Sequence, residues 1–226
     1  MSNKFAPEDE AIKFHLSLFK LNSTDPPMLY FSGFTSALRD ARKFTGRNQD
    51  NGQKLKEQNF GNLGSWLGAI GYMILLDQIG SCFKPKSSSI ATGNTIRKAL
   101  KYFTTLSEPQ INAVYALRCA FAHDYSLYNI YKGKPSLTHH FEVCQSSVVP
   151  FVTLPQEQWD GNYENKNNRN KTIINLEALG DMVEQICAQL FELASKNELE
   201  VTLNGGSDEL LQRYSFYASS QKLMLE

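Results

Sequence analysis

Between Leu63 and Leu76 the chain runs fourteen residues without a charge, interrupted only by Gly64, Ser65, Gly68 and Gly71. A helix that crosses a bilayer needs about 20 apolar residues, so this stretch is too short to span one and reads as a helix buried in protein. In the helix expected near residues 60–80, Gly61, Gly64, Gly68 and Gly71 fall at offsets 0, 3, 7 and 10. Each glycine inside a helix costs about 1 kcal/mol relative to alanine, and the compensation expected here is the close approach of a neighbouring backbone. A phosphate-cradling loop is the other use of such glycines, but no strand precedes these. Asp77, at the end of the apolar run, is expected to pair with a cation or cap a neighbouring element.

Other helices are predicted around this one. Glu8 to Leu21 has Ile12, Leu16 and Phe19 near one face, and Asp25-Pro26-Pro27 breaks the chain after it. A second helix is predicted from Met28 to Thr45, with Phe31, Phe34, Leu38 and Ala41 inward and Arg39, Arg42 and Lys43 along one flank. Gly46 to Gln53 reads as a loop, and Phe83 to Gly93 as a polar connection. Asn94 or Thr95 caps a helix to Thr105 that carries Arg97, Lys98 and Lys101 on its outer side. Ser107, Pro109 and Gln110 start the next helix as cap, first-turn proline and capping-box partner, with Ile111, Val114, Leu117 and Phe121 as its buried stripe.

The pattern then changes. Leu137 to Val143 and Val148 to Leu154 read as two strands of a β-hairpin, followed by a mobile, asparagine-rich loop from Gln156 to Asn170. Asn175 caps an amphipathic helix, Leu176 to Lys196, with Leu179, Met182, Val183, Ile186, Leu190 and Leu193 inward. A short strand, Leu199 to Leu203, precedes a final helix from Ser207 to Leu225. The expectation is a mainly α, single-domain protein over residues 1–226. Its helical core covers 28–130 and 175–197, with a β-hairpin insertion at 134–156 and a C-terminal extension at 199–226.

The formal net charge is zero, which argues against nucleic-acid binding through bulk positive charge. The distribution is uneven. Residues 39–101 hold eleven Lys and Arg against four acids, while acids concentrate between Glu177 and Glu200. A basic span leading into the helix of Arg118 suits a phosphate-rich partner, and solvated helix faces would give the same asymmetry. Cys82, Cys119, Cys144 and Cys187 form no Cys-x-x-Cys pair, and the N-terminus has no signal-peptide pattern. Reduced thiols and a cytoplasmic location follow as expectations.

The chemistry-bearing segment is Arg118 to Tyr125. Arg118 keeps its charge and presents a fork that fits phosphate, while His123 can move protons near neutral pH. Those are the side chains a metal-free phosphodiester cleaver requires. Five residues on a helix turn about 140°, so one helix cannot aim both groups at one phosphate, whereas two copies across a two-fold axis can. A surface cation and a helix-end imidazole would give the same pattern. Thr138-His139-His140 with Cys144 has metal-ligand residue types, but neighbours on a strand face opposite ways. Cys119 among alanines reads as core rather than as a nucleophile.

The spacing Arg-x4-His-x-Tyr, carried by Arg118, His123 and Tyr125, resembles the signature of the HEPN superfamily of small all-α proteins. The resemblance covers about residues 60–130, with the helix near 175–197 as its partner. It implies a HEPN-like helical bundle and a homodimer that joins two motif helices in a cleft. The activity it implies is that of a metal-independent endoribonuclease without cofactor, a toxin or defence effector acting on RNA. It assigns catalysis to Arg118 and His123, support or modification to Asp124 and Tyr125, and a nucleotidyltransferase-type antitoxin as a partner. Arg39, Arg42, Lys43, Arg97 and Lys101 are the candidate RNA-binding cations. Active members often carry a polar residue after the arginine, where this chain has Cys119. A HEPN-like module that holds RNA or nucleotide without cutting it, or a structural dimerisation domain, stays open beside the enzyme.

Overall fold

The computed structural model describes residues 7–17, 20–22, 28–55, 66–146 and 148–219. Among these the protein is mainly α, with seven α-helices and nine short strands. The apolar run forms α3 (Trp66–Cys82), and it packs against α2 (Gly33–Phe44), α4 (Thr95–Phe103), α5 (Glu108–Asp124) and α6 (Leu176–Ser195). Tyr72, Leu75, Leu76 and Ile79 are fully buried at its centre. Burying side chains of this size contributes about 1.5–3 kcal/mol each relative to exposure. No helix among the described residues is long and apolar enough to cross a membrane.

Close approach explains the glycines. A Cβ on Gly68 would lie 2.5 Å from Thr45 Cγ2, and one on Gly71 would lie 3.0 Å from the Cβ of Ala41 on α2. Gly80, which the stripe did not include, sits tighter still: its Cβ would be 1.8 Å from the carbonyl oxygen of Thr95 on α4. Gly61 and Gly64 lie outside the described residues.

Several boundaries differ from expectation. The first helix, α1 (Glu8–Leu16), buries Ile12 and Leu16 but stops before β1 (Lys20–Asn22), and Phe19 is outside the described residues. Residues Met28–Ser32 are a strand, β2, and not the start of a helix. Ser32 then caps α2, its Oγ accepting from the Thr35 amide at 3.0 Å. The strand is stabilised by pairing that local periodicity cannot show: β2 lies between β1 and β9 (Ser215–Ser219), antiparallel to both. The predicted terminal helix is correspondingly α7 (Gly206–Tyr214) followed by β9, and its predicted end, residues 220–225, lies outside the described residues. Within the polar connection, β3 (Phe83–Pro85) pairs with β8 (Leu199–Val201).

The hairpin expectation is overturned. The segment β5 (His139–Cys144) runs parallel to β7 (Lys171–Asn175), and β6 (Val152–Thr153) pairs antiparallel with the other edge of β7. With β4 (Tyr128–Asn129) this makes a four-stranded mixed sheet ordered β4-β5-β7-β6. The two predicted strands therefore flank a third one instead of meeting each other. The loop between them and β7 is pinned. Trp159 is 1 % exposed and donates from Nε1 to Asn162 O at 2.9 Å. The asparagines close turns, Asn162 Oδ1 accepting from Glu164 N and Asn167 Oδ1 from Arg169 N.

The uneven charge is used internally. On α6, Glu184 takes a two-pronged ion pair from Arg42, with Nε–Oε1 2.9 Å and Nη2–Oε2 2.8 Å, and accepts from the buried Tyr72 hydroxyl at 2.9 Å. Asp181 pairs with Arg47 at 2.8 Å, and Lys54 bridges Glu177 and Asp181 at 2.6 and 2.9 Å. Lys84 meets Glu200 at 2.7 Å across the β3–β8 pair. Three cations of the basic span, Arg42, Arg47 and Lys54, are thus counterions of three acids on α6.

Candidate functional site

The motif helix α5 begins as its sequence requires: the backbone N–H and the hydroxyl of Ser107 both reach Gln110 Oε1 at 3.0 Å. Ile111, Val114, Leu117 and Phe121 are buried, which turns Arg118 toward α3. There its Nε donates to Asp77 Oδ2 at 2.8 Å, and Thr95 Oγ1 donates to Asp77 Oδ1 at 2.6 Å. Asp77 thus pairs with a cation, as its place in the apolar run suggested. Partial burial alone would lower the Arg118 pKa, but the charge and hydrogen bond of Asp77 outweigh it and raise it. The Arg118 side chain stays about a third exposed, and its terminal nitrogens make no hydrogen bond among the described residues.

Arg118 lines a cleft of about 430 Å³ whose other walls are Gly33, Ile74, Asp77, Gln78, Ser81, Thr95 and Tyr214. His123 does not line it. His123 is exposed near the C-terminal end of α5, without an ion pair or hydrogen bond to another described residue. Asp124, the last residue of the helix, is exposed and makes no contact with His123 among those described.

Helicity ends one residue before Tyr125, so Tyr125 does not continue the face of Arg118. It is the cap, in the left-handed region at φ 47° and ψ 45°. Its ring turns onto Trp66 at 5.1 Å and lies 6.4 Å from Phe121, while Trp66 and Phe121 stack at 4.9 Å. Tyr125 remains half exposed.

The basic residues divide. Arg42 is 5 % exposed and committed to Glu184, so it leaves the outer flank it was assigned to. Arg39 pairs with Asp50 and donates to Gln49 Oε1. Arg97 donates to Asn112 and lies over the Tyr115 ring at 5.0 Å, and Lys101 pairs with Glu108 at 3.2 Å. Lys43 alone of the five is exposed and without such a partner among the described residues.

Cys119 is partly exposed rather than core, and its thiol hydrogen-bonds with Tyr115. The adjacent histidines diverge as strand geometry requires. His139 meets Thr172 Oγ1 and Ser136 O, and His140 meets Asn170 Oδ1 and the edge of Trp159. Sequence reasoning missed Gln78 and Tyr214. A second polar residue directly after Asp77 in an apolar helix was the available signal for Gln78.

Compared with protein-family models, curated proteins and solved structures, the chain matches none.

Proposed function

We propose that this chain is a metal-independent endoribonuclease of HEPN type, a helical bundle active as a cytoplasmic homodimer on RNA. The observation that carries this reading is the state of the motif side chains. Arg118 is fixed through Nε with its outer edge open, and His123 on the same helix stands exposed and without a partner among the described residues. Beside them α3 exposes Leu67 and Ile74, with Ile70 half-buried, an apolar strip suited to a second copy. In the dimer, His123 takes the proton of a ribose 2′-OH as that oxygen attacks phosphorus. The partner's His123 protonates the departing 5′-oxygen, and the Arg118 forks bind the non-bridging oxygens. The products are a 2′,3′-cyclic phosphate and a 5′-OH. The half-exposed hydroxyl-bearing Tyr125 is the residue a nucleotidyltransferase antitoxin would modify, consistent with a toxin or defence role.

A second reading, a non-catalytic module that binds RNA or nucleotide, is favoured by Asp77, which offsets the charge of Arg118, and by Cys119 after the arginine. Labelled tRNA and mRNA incubated with the protein and a chelator separate the two. Cleavage with cyclic-phosphate ends, reduced about 100-fold or more by His123→Ala, supports the enzyme. Intact RNA whose binding weakens in Arg118→Gln supports the module. Failure of both cleavage and binding overturns both. Ile74→Asp should give monomers by sedimentation and remove cleavage.

A further inference from the structure

The cleft beside Arg118 holds more hydrogen-bonding capacity than its ion pair uses. Gln78 lines this cleft, is 8 % exposed, and has a buried amide nitrogen without an acceptor among the described residues. A buried donor left unpaired is costly, and such groups normally have a partner. Both oxygens of the Asp77 carboxylate already accept a hydrogen bond, Oδ1 from Thr95 and Oδ2 from Arg118, whose charge offsets its own. It has no oxygen without a partner to offer a cationic ligand. What remains are donors: the terminal nitrogens of Arg118, which are open, and the Gln78 amide nitrogen, which is sealed in the cleft wall and reaches a ligand on a turn of its side chain. Because Nε is locked, the plane of the guanidinium is set before any ligand arrives, which favours a two-oxygen acceptor. Ile74 and the Tyr214 ring supply apolar wall, and a volume of about 430 Å³ accepts a molecule the size of an aromatic acid.

We propose that this cleft binds a small organic oxyanion, a carboxylate or phosphate on an apolar body, with Arg118 and Gln78 as its donors. The proposal shares Arg118, and Ile74 as apolar wall, with the ribonuclease reading but rests on neither His123, nor a second protomer, nor cleavage. Failure of the RNA experiments therefore leaves it standing, and its own failure leaves them untouched.

Calorimetric titration of the intact protein with benzoate and with phenyl phosphate tests it, with neutral benzamide as the comparator. At least one aromatic anion should bind saturably at one site per chain, and benzamide should not. Tighter benzoate assigns a carboxylate ligand, and tighter phenyl phosphate a phosphate ligand. Arg118→Gln and Gln78→Leu should each weaken binding about tenfold or more. Gln78→Leu should melt no lower than the parent, because it replaces an unpaired buried amide with an apolar group, so its loss of binding is not a loss of folding. The proposal is overturned if neither anion saturates below about 10 mM, or if folded Gln78→Leu binds like the parent protein.

Discussion

His15 shows what a single residue contributes through the state it is denied. It is fully buried on α1 among Phe34, Phe83 and Tyr214, with ring centroids 6.3, 5.9 and 6.2 Å away, and neither ring nitrogen has a partner among the described residues. Burial lowers its pKa from 6.5 to about 4. The folded state therefore holds the imidazole neutral where the unfolded chain would protonate it. The stability this confers is complete above pH 6.5 and is lost as the pH falls toward 4, a span of about 3 kcal/mol. Burial shifts His139 in the same direction, adding to the acid sensitivity. Urea unfolding at pH 7 and pH 4.5 should show a smaller drop for His15→Leu than for the parent protein. An identical drop in both would mean that His15 is not kept neutral.

At the scale of elements, contacts between helix backbones decide which substitutions the bundle tolerates. Gly80→Ala drives a methyl group into the Thr95 carbonyl, which moves only if α4 moves, and should cost about 3 kcal/mol. Gly71→Ala meets the Ala41 side chain at 3.0 Å and gains about 1 kcal/mol of helix propensity, so its net effect should be small. Thermal unfolding of the two variants compares them directly. The same distinction explains what was legible beforehand. Local signals were readable: the Ser107–Gln110 start of α5, the Asn175 cap of α6 accepting from Glu177 N and Ala178 N, and the Gly68–Gly71 approach. Elements defined by distant partners were not. Met28–Ser32 is a strand because Ser215–Ser219 lies beside it, and His139–Cys144 finds Lys171–Asn175 across a long loop. Likewise Asp77 was legible as half of an ion pair, while its partner Arg118 and the orphaned Gln78 became a cleft only after α3, α4 and α5 had packed.

For the whole molecule, a net charge of zero conceals two complementary halves that are joined in the fold. Arg42 and Glu184 are 6 % and 15 % exposed in their side chains, so removing one leaves the other buried and uncompensated. Arg42→Met should cost about 3 kcal/mol in chemical denaturation, and adding Glu184→Gln should return part of it. The same pairing limits how RNA would be held under the proposed function. If all eleven cations of residues 39–101 met phosphates, affinity for a single strand would fall with a log–log salt slope of about −8. Arg42, Arg47, Lys54 and Lys84 are instead bound to α6 and β8, and Arg39 and Lys101 to nearer acids. Under the proposed function, contact would fall to Arg118 and a few lysines without an ion pair among the described residues, such as Lys43, giving a slope of about −2, or two to three phosphates. RNA affinity measured from low to physiological salt checks this. A slope near −4 would mean that the three cations paired with α6 also open to reach phosphate, whereas a shallow slope assigns recognition to the cleft and not to the charge of the span.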